Sequence, residues 1–406
     1  MMIQKNVRNI PFSPPDISDS EIDEVIDTLR SGWITTGPKT KEFERRIAEY
    51  VGTNKAVCLS SATAAMELTL RILGIGPGDE VITSAYTYTA TAAVIEHVGA
   101  RIVLIDTAPD SYEMNYDQLS EAITERTKAI IPVDLGGKMC DYTSIFKVID
   151  DKKHLFQPKN DLQEKIGRLV VMTDAAHAFG AEQNGLKCGA VADFTCFSFH
   201  AVKNLTTAEG GAVVWRPDLG FDDDKLYNQF MLYSLHGQSK DALAKTQKGA
   251  WEYDIVYPAY KCNMTDIMAS IGLRQLDRYP DLLNRRREII TLYDEALNSA
   301  GIESMQHYGT NYSSSGHLYL ARIPGYNEQK RNQLIMKMAE AGISCNVHYK
   351  PLPMFTAYKN MGFHINDFPN AYRQYENEIT LPLHTLLEDE DVSYVAETLL
   401  AEMKLF

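Results

Sequence analysis

From about Lys55 the chain alternates short β-branched runs with stretches of helical periodicity: KAVCLSS, ATAAMELTLRIL, DEVITSA, TATAAVIEHV and RIVLIDT follow one another. Short apolar runs bounded by polar residues read as strands, and apolar positions at three- and four-residue spacing read as helices. Their alternation predicts βαβ units feeding a mostly parallel sheet. KAIIPVD, RLVVMTDA, FTCFSFH and GGAVVW add further strand candidates. The expected fold class is α/β, with one large seven-stranded, mostly parallel sheet flanked by helices.

From Asn263 the pattern turns helical through MTDIMASIGLRQLDRYPDLLNRRREIITLYDEALNSAG, which predicts one long connecting helix. A strand (HLYLARIP), a helix starting near Asn327, a strand (SCNVHY) and a last helix inside DEDVSYVAETLLAEM follow. These predict a small C-terminal α+β domain. The change of pattern places the boundary near Asp281, giving an N-terminal arm and large domain over 1–281 and a small domain over 282–406. Between Asp134 and Arg168 a polar stretch containing DDKKHLFQPKNDLQEK reads as a helix with an inserted surface loop, about 137–167. Unstructured loops of such length are often functional, so this one is either part of a substrate site or a surface excursion.

The chain has 406 residues, 45% of them hydrophobic, which suffices for a large core and a smaller one. With 40 Lys and Arg against 54 Asp and Glu, the net charge is −14, and the surface field repels polyanions. Nucleic acid is therefore not an expected partner, although local backbone amides can still bind a phosphate. The cysteines Cys58, Cys140, Cys188, Cys196, Cys262 and Cys345 are scattered, without the spacing of a metal site, and read as reduced core residues. MMIQKNVRNIPFSPP lacks the apolar stretch of a leader, and no apolar run approaches the roughly 20 residues that span a bilayer. The expected location is the cytoplasm, with no membrane partner.

Three segments carry chemistry. In VVMTDAAHAFG an apolar strand ends at Asp174, with His177 shortly after. Ligands of open α/β sheets bind beyond the carboxyl ends of strands, so both side chains would face a crevice. The alternative is that Asp174 caps a turn. In FTCFSFHAVKNLTTAEGGAVVW a strand runs into a polar turn holding Ser198, His200 and Lys203. Lysine is ordinarily a solvated surface charge, but Lys203 lies between two apolar runs near the same sheet edge. In LSSATAAMEL, Ser60, Ser61, Ala62 and Thr63 occupy a strand-to-helix junction. Free amides and the helix dipole suit a phosphate there, while a plain N-cap is the other reading.

A cofactor needing an amine, a carboxylate, a phosphate cradle and a flat apolar cover is pyridoxal 5′-phosphate (PLP). The lysine joins its aldehyde and can later shuttle protons; the carboxylate keeps the ring nitrogen protonated.

The ordered segments SGWITTGPKTKEFE, SSATAAMEL, TYTATAAVI, TDAAHAFGA, SFHAVKNLTTAEGGAV, YKCNMTDIMASIGLRQL, NVHYKPLP and FPNAYRQYENEITLPLH span nearly the whole chain. Together they resemble the DegT-type sugar aminotransferases of the aspartate-aminotransferase-like fold (fold type I). The resemblance implies that Lys203 holds the cofactor and that Asp174 partners its ring nitrogen. It implies that His177, where glutamine often stands, meets the ring-side oxygen, and that Tyr88 covers the ring face. Ser61, Ala62, Thr63 and Ser198 would hold the phosphate. Ala62 stands where glycine is frequent, which a backbone contact tolerates.

The resemblance further implies a homodimer with shared active sites, in which Asn263 reaches the partner's phosphate. Thr35, Gly37, His348 and Tyr349 would line the sugar-nucleotide cleft; a structural, hydrogen-bonded His348 at a strand end is the alternative. The implied reaction moves an amino group from glutamate to a nucleotide-linked keto sugar, first a UDP-4-keto-6-deoxyhexose with or without a 2-acetamido group. Rivals are a 3-keto-sugar aminotransferase, a dehydratase of the same fold, which uses histidine at the lysine position, and a PLP-fold regulator without turnover. Lys203 argues against the dehydratase, and Asp174, Lys203 and Tyr88 together argue against the regulator.

Overall fold

The computed structural model describes residues 8–240 and 252–405; residues 1–7 of the amino-terminal stretch read above lie outside them. The strands are β1 (Ala56–Leu59), β2 (Glu80–Ser84), β3 (Arg101–Ile105), β4 (Thr127–Ile131), β5 (Val170–Asp174), β6 (Glu182–Gln183), β7 (Leu186–Lys187), β8 (Phe194–Ser198), β9 (Gly211–Trp215), β10 (Glu303–Ser304), β11 (Tyr312–Ser313), β12 (Tyr319–Arg322) and β13 (Glu378–Leu381). All seven apolar runs from Lys55 to Trp215 became strands of one sheet, ordered β1-β9-β8-β5-β4-β2-β3. Its pairs are parallel except those of β9, which runs antiparallel to β1 and β8.

The sheet is buried on both faces, which is why its strands read as continuous apolar runs rather than as alternation. Successive side chains still point to opposite faces. Val57, Leu59, Val81, Met172 and Val213 enter one core, while Ala56, Cys58, Ile82, Val171 and Val214 enter the other.

The helices are α1 (Asp19–Ser31), α2 (Pro38–Val51), α3 (Ala62–Ile72), α4 (Thr89–His97), α5 (Tyr116–Ala122), α6 (Tyr142–Asp151), α7 (Asp161–Ile166), α8 (Asp223–Ser234), α9 (Asp266–Asp277), α10 (Tyr279–Leu297), α11 (Glu328–Glu340), α12 (Thr356–Asn360), α13 (Pro369–Glu376) and α14 (Asp389–Met403). α3 and α4 cover one face through Ala65, Leu68, Val94 and Ile95; α2, α6 and α9 cover the other through Phe43, Ile47, Ile145 and Leu273. The antiparallel sheet β10-β12-β13 has a third core, formed with Ile289, Tyr293, Leu334 and Val395 of α10, α11 and α14. Ile10 of the amino-terminal arm belongs to this core and bridges Ile343.

Three expectations are corrected. The single connecting helix is two, α9 and α10, because Arg278 leaves helical geometry (φ −105°, ψ 8°) and Pro280 in the next first turn has no N–H to continue the ladder. α10 then passes from the large core, at Tyr279 and Leu282, to the third core at Ile289 and Ile290. The stretch 137–167 holds two helices where one was expected: it is the crossover from β4 to β5, in which a surface segment, 152–160, joins α6 to α7. Ile145 and Ile149 of α6 are buried, and Asn160 and Gln163 donate to the Leu73 carbonyl at 2.8 and 2.7 Å, satisfying the end of α3. SCNVHY forms no strand; it makes one isolated bridge, Asn346 to Thr380 of β13.

Candidate active site

The carboxyl ends of the parallel strands converge on a cavity of about 360 Å³. β5 delivers Asp174 and, after a tight turn, His177; β8 delivers Ser198, and its following loop delivers Lys203. Ser61, Ala62 and Thr63 line the cavity from the start of α3, and Tyr88 lines it from the start of α4. His348 and Tyr349 enter from the segment before α12.

Thr35, Gly37 and Asn263 do not line this cavity. They gather about the start of α9, where buried Asp266 takes the place of a cap for α2. Its Oδ1 accepts from the Gly37 and Thr40 amides at 2.8 and 2.9 Å and from the Thr40 hydroxyl at 2.7 Å, and its Oδ2 accepts from the Lys39 amide at 3.1 Å. Asn263 Nδ2 donates to Thr36 Oγ1 at 2.6 Å.

Lys203 is half-buried, and among the described residues its Nζ has no hydrogen-bond or ion-pair partner. Burial pushes its pKa down to about 8, while the Asp174 charge pulls it up. Burial raises the Asp174 carboxyl, opposed by bonds from the Thr91 hydroxyl to Oδ2 at 2.6 Å and from the Ala176 amide to Oδ1 at 3.1 Å. Thr87 and Thr91 hydroxyls lie 2.8 Å apart; since Thr91 gives its hydrogen to Asp174, Thr87 must donate to Thr91.

His177 is buried and kept neutral, first by burial and second by the Lys203 charge. The Gly136 amide donates to its Nδ1 at 3.2 Å, its Nε2 meets Tyr349 Oη at 3.0 Å, and its ring lies against that of His317 at 4.3 Å. His317 Nδ1 meets Asn204 Oδ1 at 2.8 Å, which links the residue after Lys203 to the histidine pair. His348 bonds Thr380 Oγ1 through Nδ1 at 2.9 Å and stacks on Phe12 of the arm.

The residues fit PLP on the structure's own terms. Ser61 caps α3 by accepting from the Ala64 amide at 3.0 Å. The Ala62 and Thr63 amides come too early in the helix to have intrahelical acceptors, so they remain for a phosphate. Gly211 presses on this junction: a Cβ there would lie 2.4 Å from Ala62 N. A free amine and a carboxylate face the space beyond it, with the exposed Tyr88 ring at its edge.

Residues 15–400 match the DegT/DnrJ/EryC1/StrS aminotransferase family. The chain belongs to that family. It is 37% identical to the spore coat polysaccharide biosynthesis protein SpsC of Bacillus subtilis, over 98% of this chain and 97% of SpsC. It is 35% identical to the UDP-4-amino-4-deoxy-L-arabinose–oxoglutarate aminotransferase of Shewanella sediminis, over 95% and 96%. Spr1654 of Streptococcus pneumoniae, which is named a putative sugar aminotransferase and is solved in PMP and PLP forms, superposes with TM-scores of 0.96 and 0.95 at 56% and 55% identity, over 98% of this chain and all of that one. The DegT-family enzymes are PLP-dependent aminotransferases, and this chain is one of them, a sugar aminotransferase. Among its described residues no helix is long and apolar enough to cross a membrane.

Thr91, His317, Asn204 and Gly136 escaped the sequence reading. Thr91 follows Tyr88 by one helical turn and so faces the same way, which was the one available signal.

Proposed function

We propose that this DegT-family enzyme transfers an amino group from glutamate to a nucleotide-linked keto sugar, first a UDP-4-keto-6-deoxyhexose, plain or 2-acetamido, for cell-surface polysaccharide or glycan synthesis. The observation that carries the reading is the unpartnered Lys203 amine sharing one cavity with Asp174 at the head of α3. The choice of UDP, a 4-amino product and an oxoglutarate-linked donor draws on the name of the Shewanella relative, and the polysaccharide context on that of SpsC.

When bound, PLP supplies an aldehyde for amine exchange and an electron-accepting ring. Lys203 Nζ, partly neutral near pH 8, would hold the cofactor by its aldehyde and, when free, would take the proton from the α-carbon of the amino donor. Asp174 holds a protonated ring nitrogen through a carboxylate fixed by Thr91 and Ala176. The amides of Ala62 and Thr63 with Ser61 and Ser198 would bind the phosphate, Tyr88 would cover the ring, and His177 would stand on the side of the ring oxygen. Thr35, Gly37 and Asn263 would complete the cavity of a second copy in a cytoplasmic homodimer, with His348 toward the sugar and Tyr349 where the sugar would meet the cofactor.

Purified holoenzyme is mixed with glutamate while the cofactor's visible band and 2-oxoglutarate are followed; UDP-, dTDP- and GDP-linked 3-keto and 4-keto sugars are then screened by product mass. Loss of the band with stoichiometric 2-oxoglutarate is expected. An unchanged band with glutamate and every other amino donor overturns the reading, and a band retained in Lys203→Ala assigns the cofactor to another lysine.

A further inference from the structure

The hydrogens around His177 can be assigned by elimination. A backbone amide can only donate, so the Gly136 N–H fixes His177 Nδ1 as an acceptor without a hydrogen. The single imidazole hydrogen then sits on Nε2, and the contact it makes is with Tyr349 Oη at 3.0 Å. Tyr349 receives that hydrogen, so its own must point elsewhere. Among the described residues nothing else bonds its hydroxyl, and Tyr349 lines the cavity.

The constitution of PLP says what this hydrogen meets. The phosphate arm and the 3-oxygen flank the aldehyde on opposite sides of the ring. With phosphate at the start of α3, which follows β1, and the ring nitrogen at Asp174 on β5, the 3-oxygen faces away from β1. The sheet order β1-β9-β8-β5-β4 puts β4 on that side, and Gly136 follows β4. We infer that Tyr349, rather than His177, donates the hydrogen bond to the cofactor's 3-oxygen, and that His177 is a positioning residue acting through Tyr349. This rests on the PLP reading of the same cavity.

The chain Gly136, His177, Tyr349 is a fixed donor and not a proton wire. A proton drawn from Tyr349 could be replaced only through His177, whose far nitrogen is held by an amide that does not release its hydrogen. The other ionisable groups facing Tyr349 are Asp174 from β5, Tyr88 from the start of α4, Glu378 from β13, Lys203 and His348. None of them bonds its hydroxyl.

A donor to the 3-oxygen favours its charged form, so losing it raises the pH at which the cofactor's visible band titrates. For one bond to a charged oxygen the shift is about 1 to 2 pH units. The band of the holoenzyme is titrated for wild type, Tyr349→Phe, His177→Gln and His177→Leu, with circular dichroism checking the fold. Tyr349→Phe is expected to move the midpoint upward by that amount. His177→Gln, whose amide can accept from Gly136 and donate to Tyr349, should stay near wild type, and His177→Leu should shift upward by less than Tyr349→Phe.

As a second measurement, the affinity of cofactor-free protein for PLP is divided by that for 3-deoxypyridoxal phosphate. The ratio should fall about tenfold or more in Tyr349→Phe, corresponding to one such bond. An unmoved midpoint and ratio in Tyr349→Phe, or a shift in His177→Leu with none in Tyr349→Phe, overturns the inference. Failure of the PLP reading itself is distinct, because wild type would then show no band to titrate.

Discussion

Thr91 offers the cleanest perturbation of the Asp174 carboxylate. The 2.6 Å bond to Oδ2 is one of two that hold this buried side chain, and Thr91 is fully buried on α4. Thr91→Val keeps the shape and deletes the donor. A hydrogen bond to a charged group is worth about 1.5–3 kcal/mol, and one pKa unit is about 1.4 kcal/mol, so the Asp174 pKa should rise by a further 1 to 2 units or so. The sign for cofactor binding follows. Asp174 must be ionised to hold a protonated ring nitrogen, so PLP affinity falls as pH drops through the Asp174 pKa. The acid limb of affinity against pH should move upward in Thr91→Val by about 1 to 2 units, with affinities converging at higher pH. Equilibrium PLP titrations of cofactor-free protein across pH measure this. Thr91→Ser, which restores the hydroxyl, should superpose on wild type. Coincident acid limbs for Thr91→Val and wild type would refute the claim that Thr91 supports the carboxylate.

Two further outcomes can be checked. Lys203 has a folded pKa near 8 against an ordinary 10.5, so the unfolded chain binds the extra proton between those values and this group's contribution to stability rises with pH across that window. Amine acylation of cofactor-free protein, read by peptide mass spectrometry, should reach half its maximal rate at Lys203 near pH 8, and a midpoint near 10.5 would contradict the desolvation argument. Gly211→Ala places a Cβ 2.4 Å from Ala62 N, against backbone that cannot step aside cheaply, so it should cost about 1–3 kcal/mol in denaturant unfolding and weaken PLP binding. Unaltered PLP affinity in that variant would show that the α3 junction does not serve the phosphate.

The large sheet was legible because both its faces are buried, so every strand announces itself as an apolar run. That Asp174 and Lys203 share one cavity was legible because a carboxylate and an amine beside apolar runs have few structural reasons to be there. Pro280 was visible in the sequence, but the apolar periodicity of α9 and α10 continues across it and hid the break. SCNVHY has strand composition, yet its neighbour β13 offers only one bridge, because Glu378 takes the His348 amide at 2.9 Å instead of a ladder partner. What local pattern could not reveal were bonds between residues far apart in the chain: Thr91 with Asp174, Asn204 with His317, and His177 with Tyr349. Those are set by how strand ends and the third core meet, and no stretch of sequence contains both partners.

The Asp266 cap has a consequence for how relatives of this enzyme can diverge. The loop bearing Thr35 and Gly37 takes its anchorage from a carboxylate more than two hundred residues away, through main-chain amides of Gly37, Lys39 and Thr40. Amides are present whatever the side chains, so the exposed residues Ile34 and Thr35 can be exchanged while the loop stays docked, whereas buried Thr36 is tied by its hydroxyl to the Met264 carbonyl and to Asn263. A change of Asp266 itself would remove four of the segment's bonds at once, leaving those of Thr35 and Thr36 to hold it.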